Sequence, residues 1–176
     1  MMLKRRQALS SGGGVLAALA CPRLLAAAPL KTIFMRGSAR GERIWFDPVG
    51  LAVAPGTRLR FINRDQGNSH TATSYHPDNY DRERRIPVRA TPWDSGFLLP
   101  GDSFEVTLTA PGVYDYYCIP HEMAGMVGRI VVGMPEDPLW EGARGDSDDL
   151  AAQAAAGFPS VETILRHRAI SQEAKP

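Results

Sequence analysis

Between residues 31 and 133, apolar and polar positions alternate in short runs separated by turn residues. In TRLRFIN, Leu59 and Phe61 fall on one face and Arg58 and Arg60 on the other. SFEVTLTAPG places Phe104, Val106 and Leu108 together and Glu105 and Thr107 opposite them. VYDYYC puts Tyr114, Tyr116 and Cys118 on one face. A period of two is that of a half-buried strand. The runs KTIFMRG, RIWFDP, GLAVAPG, HTATSY and VGRIVVG complete the set, and Pro55-Gly56, Pro100-Gly101 and Pro111-Gly112 mark turns. Short strands at this spacing predict an all-β, antiparallel sandwich. The lack of long helical periodicity in this region argues against an α/β fold.

Two stretches depart from the alternation. Residues 74–95 are polar, proline-bearing and arginine-rich, and read as a long loop inserted between strands. Arg82, Arg84, Arg85 and Arg89 are expected there as a solvated face, with an acid-steering patch as the lesser reading. From Met134 the pattern turns helical. Ser147 is placed to cap a helix through DDLAAQAAA that stops at Gly157, and Ser160 another through VETILRHRAI. Val161, Ile164 and Leu165 form the narrow apolar stripe of the second helix; the expectation is a helix packed on the sandwich or a partly disordered tail, with a partner-docking helix as the lesser reading. His76 reads as a loop residue and His167 as a solvated one.

Charge changes the picture at one end only. The net charge of the 176-residue chain is +1, which does not suggest nucleic acid. Residues 1–28 hold Lys4, Arg5, Arg6 and Arg23 and no acid, and without them 16 basic groups face 19 acidic ones, a net of −3. This segment has a paired-arginine start, a glycine-diluted apolar stretch and small residues suited to cleavage, the pattern of a twin-arginine export signal, with an ordinary secretory signal as the alternative. The apolar run from Leu9 to Ala20 is too short to span a membrane. ALAC, residues 18–21, weakly matches a lipoprotein site, making lipidation through Cys21 a minor alternative. The expected organisation is therefore an export signal over 1–28, a sandwich domain over 29–133 and a partly helical extension over 134–176.

Export changes the cysteine arithmetic. Loss of Cys21 with the signal leaves Cys118 as the one thiol, so no disulfide forms within the mature chain. A metal, a catalytic role or inert burial would each account for a lone thiol in an oxidising compartment. Its surroundings favour metal: Cys118-x2-His121-x4-Met126 lies in one short loop, and His70 lies upstream at a strand start. A thiolate and two imidazoles with a weak axial thioether describe a blue-copper electron-transfer site. Met123 competes with Met126 for the axial place.

YDYYCIPHEMAGMVGRIVV, FDPVGLAVAPGTRLRFINRDQGNSHTAT and GDSFEVTLTAPG together resemble the plastocyanin/pseudoazurin branch of the cupredoxins, over about residues 30–133. The resemblance implies a Greek-key β-sandwich, one copper and one-electron transfer. It implies His70, Cys118 and His121 as equatorial ligands and Met126 as the axial one, and Thr71 as a tie between the two ligand loops. Pro120 has no N–H to donate to the sulfur, which leaves the thiolate more electron-rich and favours Cu(II). The long loop and the tail are additions to the pattern.

Enzyme readings fare poorly on residue counts. Four histidines without a His-x-His pair are too few for a trinuclear copper centre, and no second cysteine lies near Cys118 for a binuclear one. His121, three residues from Cys118 on a tight loop, is ill placed as the base of a cysteine hydrolase, and a zinc site has no use for the methionine. The expectation is an exported, monomeric, non-enzymatic electron shuttle. It would dock transiently on redox partners near His121, over a patch including Pro120, Met123, Ala124 and Gly125. A copper storage or delivery protein, or a non-redox partner-binding module, is the alternative.

Overall fold

The computed structural model describes residues 28–145 and 147–172; Arg5, Arg6, Cys21 and nearly all of the expected export signal lie outside them. One sheet contains β1 (Leu30–Gly37), β2 (Ile44–Asp47), β4 (Thr57–Asn63) and β6 (Ser103–Leu108), in the order β2-β1-β4-β6. The other contains β3 (Gly50–Val53), β5 (Thr73–Ser74), β7 (Gly112–Tyr117), β8 (Val127–Val132) and β9 (Ala169–Ile170), in the order β5-β7-β8-β3-β9. The alternation of β4 is realised as read, with Leu59 and Phe61 inside and Arg58 exposed. Ile33, Met35, Phe46, Leu59, Phe61, Tyr116 and Ile130 meet between the sheets. Phe46, Phe61 and Tyr116 pack edge to face there, with ring centroids 4.7–6.3 Å apart.

Each sheet holds one parallel pair, β1 with β4 and β3 with β8, where the sequence suggested antiparallel pairing throughout. The reason is the corner at Pro48 and Val49. The chain crosses there from β2 to β3, one strand path bent between two sheets, and reverses only at the turn before β4. β4 therefore returns parallel to β1.

The tail decides the outer face of the second sheet. A helix α1 (Ala152–Gly157) and a helix α2 (Val161–His167) precede β9, a strand that the sequence did not announce. Ser160 caps α2 as expected, accepting from the Thr163 N–H at 3.1 Å. Ser147 does not cap α1, which begins after Ala151; the Ser147 hydroxyl accepts from the Asp149 N–H in a turn instead. Ile164 is fully buried against Ala52, Val113 and Val131, with Val161 and Leu165 beside it. Every position of β7 and β8 is buried in consequence.

That cover corrects the expectation for the arginines. Arg85 is buried, and together with Arg129 it holds Asp115, itself wholly buried. The Asp115 carboxylate accepts from Arg85 Nε at 3.1 Å and from Arg129 Nε and NH2 at 2.6 and 2.9 Å. The remaining guanidinium hydrogens reach carbonyls of Arg144, Gly145 and Pro159 in the tail. Arg82 is half-buried in ion pairs, Arg84 is half-buried, and Arg89 alone of the four is exposed.

Candidate metal centre

The site lies at one end of the sandwich, where β7 leaves the core. Cys118 directly follows that strand, and a 3₁₀ segment, Ile119–Ala124, starts at once because Pro120 fits its first turn. The loop closes on itself. The Cys118 N–H donates to the Met126 carbonyl at 3.0 Å, and the Met126 N–H to the His121 carbonyl at 3.1 Å. Gly125 turns the chain with φ of 81°, a conformation that disfavours a side chain. His70 arrives from the other side of the site. Its backbone exchanges hydrogen bonds with Leu98 at 3.1 and 2.8 Å, which ties it to the segment that follows the long loop.

Three ligand-type atoms converge. His70 Nδ1 and His121 Nδ1 are 3.1 Å apart, and Cys118 Sγ lies 3.6 Å from the first and 3.4 Å from the second. A point equidistant from all three is about 2 Å from each, close to an ordinary transition-metal bond to nitrogen or sulfur. They form the one cluster of three or more His, Cys, Asp or Glu with metal-ligand spacing among the described residues. Met126 is fully buried in the same apolar cluster as Cys118, whereas Met123 is 73% exposed.

The surroundings prepare these atoms. Asp65, buried beside His70, accepts from its Nε2 at 2.9 Å, which assigns the ring proton to Nε2 and leaves Nδ1 bare. Asp65 is itself held by the Gly67 N–H and Asn68 Nδ2, and its own N–H donates to Asn63. Burial works to raise the Asp65 carboxyl, but the hydrogen bonds from Asn68, Gly67 and His70 outweigh it and hold it below its usual value. Burial lowers both imidazoles, aided at His121 by the neighbouring His70, so both rings are neutral near pH 7. Burial pushes the Cys118 thiol up to about 11, against the opposing effect of the Thr71 N–H, which donates to Sγ at 3.3 Å. The Thr71 hydroxyl accepts from the Ile119 N–H at 2.9 Å, so this residue does tie the two loops together. A wholly buried thiol beside two neutral imidazoles suits a soft or borderline metal, and copper(II) above other divalent first-row ions.

Residues 34–133 match the sequence profile described as copper binding proteins, plastocyanin/azurin family. The chain belongs to that family. Among curated relatives, the chloroplastic plastocyanin of Silene latifolia subsp. alba is 32% identical over 127 residues, covering 72% of this chain and 75% of its own. Pseudoazurin of Methylorubrum extorquens is 33% identical over 117 residues, covering 66% and 70%. Among solved structures, a Sinorhizobium pseudoazurin superposes with a TM-score of 0.51 at 27% identity, covering 72% of this chain and 91% of its own. The family's cofactor is copper, and the His70, Cys118, His121 arrangement with Met126 buried alongside fits it.

Four features of this family member escaped the sequence reading. Asp65 carries no local signal in NRDQGNSH; only the fold turns it under His70. Phe97 and Leu99, 63% and 61% exposed, flank the Leu98 that pairs with His70, and they stand with Met123 among the exposed large apolar residues. Tyr75 and Arg82 from the long loop reach Glu122 in the ligand loop. Asp115 was placed by alternation on the outer face of β7, and the tail covers it.

Proposed function

We propose that the protein is an exported cupredoxin carrying one electron at a time between redox proteins, with His70, Cys118 and His121 as equatorial copper ligands and Met126 as the axial one. The observation that carries this reading is the convergence of His70 Nδ1, His121 Nδ1 and Cys118 Sγ within one short-sided triangle. Copper supplies the one-electron exchange between Cu(I) and Cu(II); the chain supplies a rigid seat that changes little between them. His70, Cys118 and Met126 are wholly buried, and His121 alone of the four is partly exposed, so its ring edge is the natural exit for the electron. Exposed Met123 beside it supports a small apolar docking face. We read residues 1–28 as the export signal, 29–133 as the copper-carrying domain and 134–176 as an extension. The mature protein is read as periplasmic or otherwise extracytoplasmic, and as monomeric. Among the described residues no helix is long and apolar enough to cross a membrane.

The deciding experiment is the visible and EPR spectrum of the mature protein with one equivalent of copper(II), beside Cys118→Ser. An intense thiolate-to-copper band with narrow hyperfine splitting, absent from the variant, is the expected result. A pale spectrum common to both proteins would remove Cys118 from the ligand set and the electron carrier with it.

Asp65→Asn is expected to weaken copper(II) binding about 10–100-fold, because the carboxylate that orients the His70 ring and raises its basicity is gone. Competition against a chelator of known affinity measures this. Unchanged affinity would show that the hydrogen bond at 2.9 Å does not support the ligand.

A further inference from the structure

The long loop and the extension meet on one side chain of the ligand loop. Glu122 follows His121, yet it points inward and is buried. Its carboxylate accepts from Tyr75 Oη at 2.7 Å, and from Arg82 NH1 and NH2 at 2.6 and 2.8 Å in a two-pronged pair. Arg82 is held in turn by the extension: its Nε donates to the Asp149 carboxylate at 3.0 Å and its NH2 to the Asp149 carbonyl at 2.6 Å. The guanidinium also lies over the rings of Tyr75 and Tyr117, 5.1 Å from each centroid, and those rings stack at 4.3 Å. Tyr117 is the residue before Cys118.

Helix α1 adds a second hold on the same loop. Ala154 packs with Tyr75, Tyr117 and Val127, with Ile119 beside them. Gly157 lies so close that a Cβ there would approach the Gly125 carbonyl to 3.1 Å. A six-residue 3₁₀ segment has poor hydrogen-bond geometry and little stiffness of its own. Three of the four proposed ligands sit on or beside this one, so their relative placement depends on what holds the turn. The family match ends at residue 133, and Asp149, Ala154 and Gly157 lie beyond it.

We propose that Glu122 is a positioning residue of the metal loop, and that the long loop through Tyr75 and Arg82, and the extension through Asp149, are working parts of the copper site. The proposal rests on the copper reading above for its spectroscopic consequence, but its mechanical part concerns the metal-free protein too. Loss of the charge on Glu122 or Asp149 frees the turn, and the ligands lose their common geometry while the sheets stay intact.

The test uses the full mature chain with Glu122→Gln, Asp149→Asn and the charge-conserving Arg82→Lys. Amide hydrogen exchange of the metal-free proteins is followed at Gly125, Met126 and Val127, with β4 amides as the internal control. Exchange in the loop is expected to quicken about tenfold in Glu122→Gln and Asp149→Asn, with β4 unchanged. Arg82→Lys, which keeps the charge and loses the fork, is expected to fall between them and the parent. After loading with copper(II), the variants are expected to shift the thiolate-to-copper band and the reduction potential relative to the parent. Unchanged loop exchange, or equal quickening of loop and β4, would overturn the proposal, the latter by showing a general loss of stability. Local quickening with an unaltered spectrum would overturn it as well, because the ligands would not depend on the clamp. Should the parent itself show no thiolate band, the copper reading falls and, with it, the role claimed for Glu122 in placing ligands; the exchange result then separates that failure from failure of the clamp.

Discussion

The metal-free protein is expected to bind copper(II) about ten times more tightly for each unit of pH between about 7 and 9. The proposed ligand is the Cys118 thiolate, and burial pushes the thiol up to about 11. Throughout that window the folded protein therefore carries a proton on sulfur that loading must displace, and one proton lost per metal gives a slope of one decade per unit. The imidazoles contribute no slope there. Both titrate below their ordinary value, depressed first of all by burial, so they are already neutral. Below that window they would take up protons in the metal-free state and steepen the dependence. Chelator competition across the range gives the slope, and calorimetry in buffers of different ionisation enthalpy counts the proton directly. A flat profile would mean that the thiol is already ionised or is not a ligand.

Asp115→Ala is expected to destabilise the protein by about 3–5 kcal/mol, because it removes the buried carboxylate shared by two buried guanidinium groups and leaves Arg85 only a longer pair with half-buried Glu83. The loss is expected to fall on the extension first. Arg85 and Arg129 carry the contacts to Arg144, Gly145 and Pro159, and both lie over the Phe158 ring at 5.7 and 4.9 Å. Denaturant unfolding of the metal-free protein gives the magnitude, and limited proteolysis after residue 133 reports release of the tail. The triple replacement Arg85→Met, Asp115→Leu, Arg129→Met should recover much of the loss, since a well-packed apolar set has no stranded charge. A cost below about 1 kcal/mol for Asp115→Ala would place the network among weak surface pairs.

The extension was the hardest part to read, for a reason visible in β7. Alternation in GVYDYY assigned Tyr114 and Tyr116 to the core and left Asp115 outside. That inference is sound for a sheet with one wet face. The face became dry only because α1, α2 and β9, which begin 37 residues further along the chain at Ala152, fold back over it. The same cover turned Arg85 from an expected surface group into a buried anchor and left Arg82 half-buried in ion pairs. A polar residue that neutralises a distant partner has no local signature; its pattern equals that of a solvated one.

What the sequence by itself determined was most of what local spacing controls: the period-two strands around Leu59, Phe61 and Phe104, the Ser160 cap though not the Ser147 one, and the Cys118, His121 and Met126 loop with His70 upstream. Strand period, cap chemistry and ligand spacing along one loop act over a few residues, so a linear reading reaches them. Tertiary structure alone decided the two parallel strand pairs, the Asp65 carboxylate under His70, the three atoms drawn within 3.6 Å of one another, and the Glu122 clamp. Those depend on which distant segments share one dry volume, where a charge must meet its opposite and every donor its acceptor.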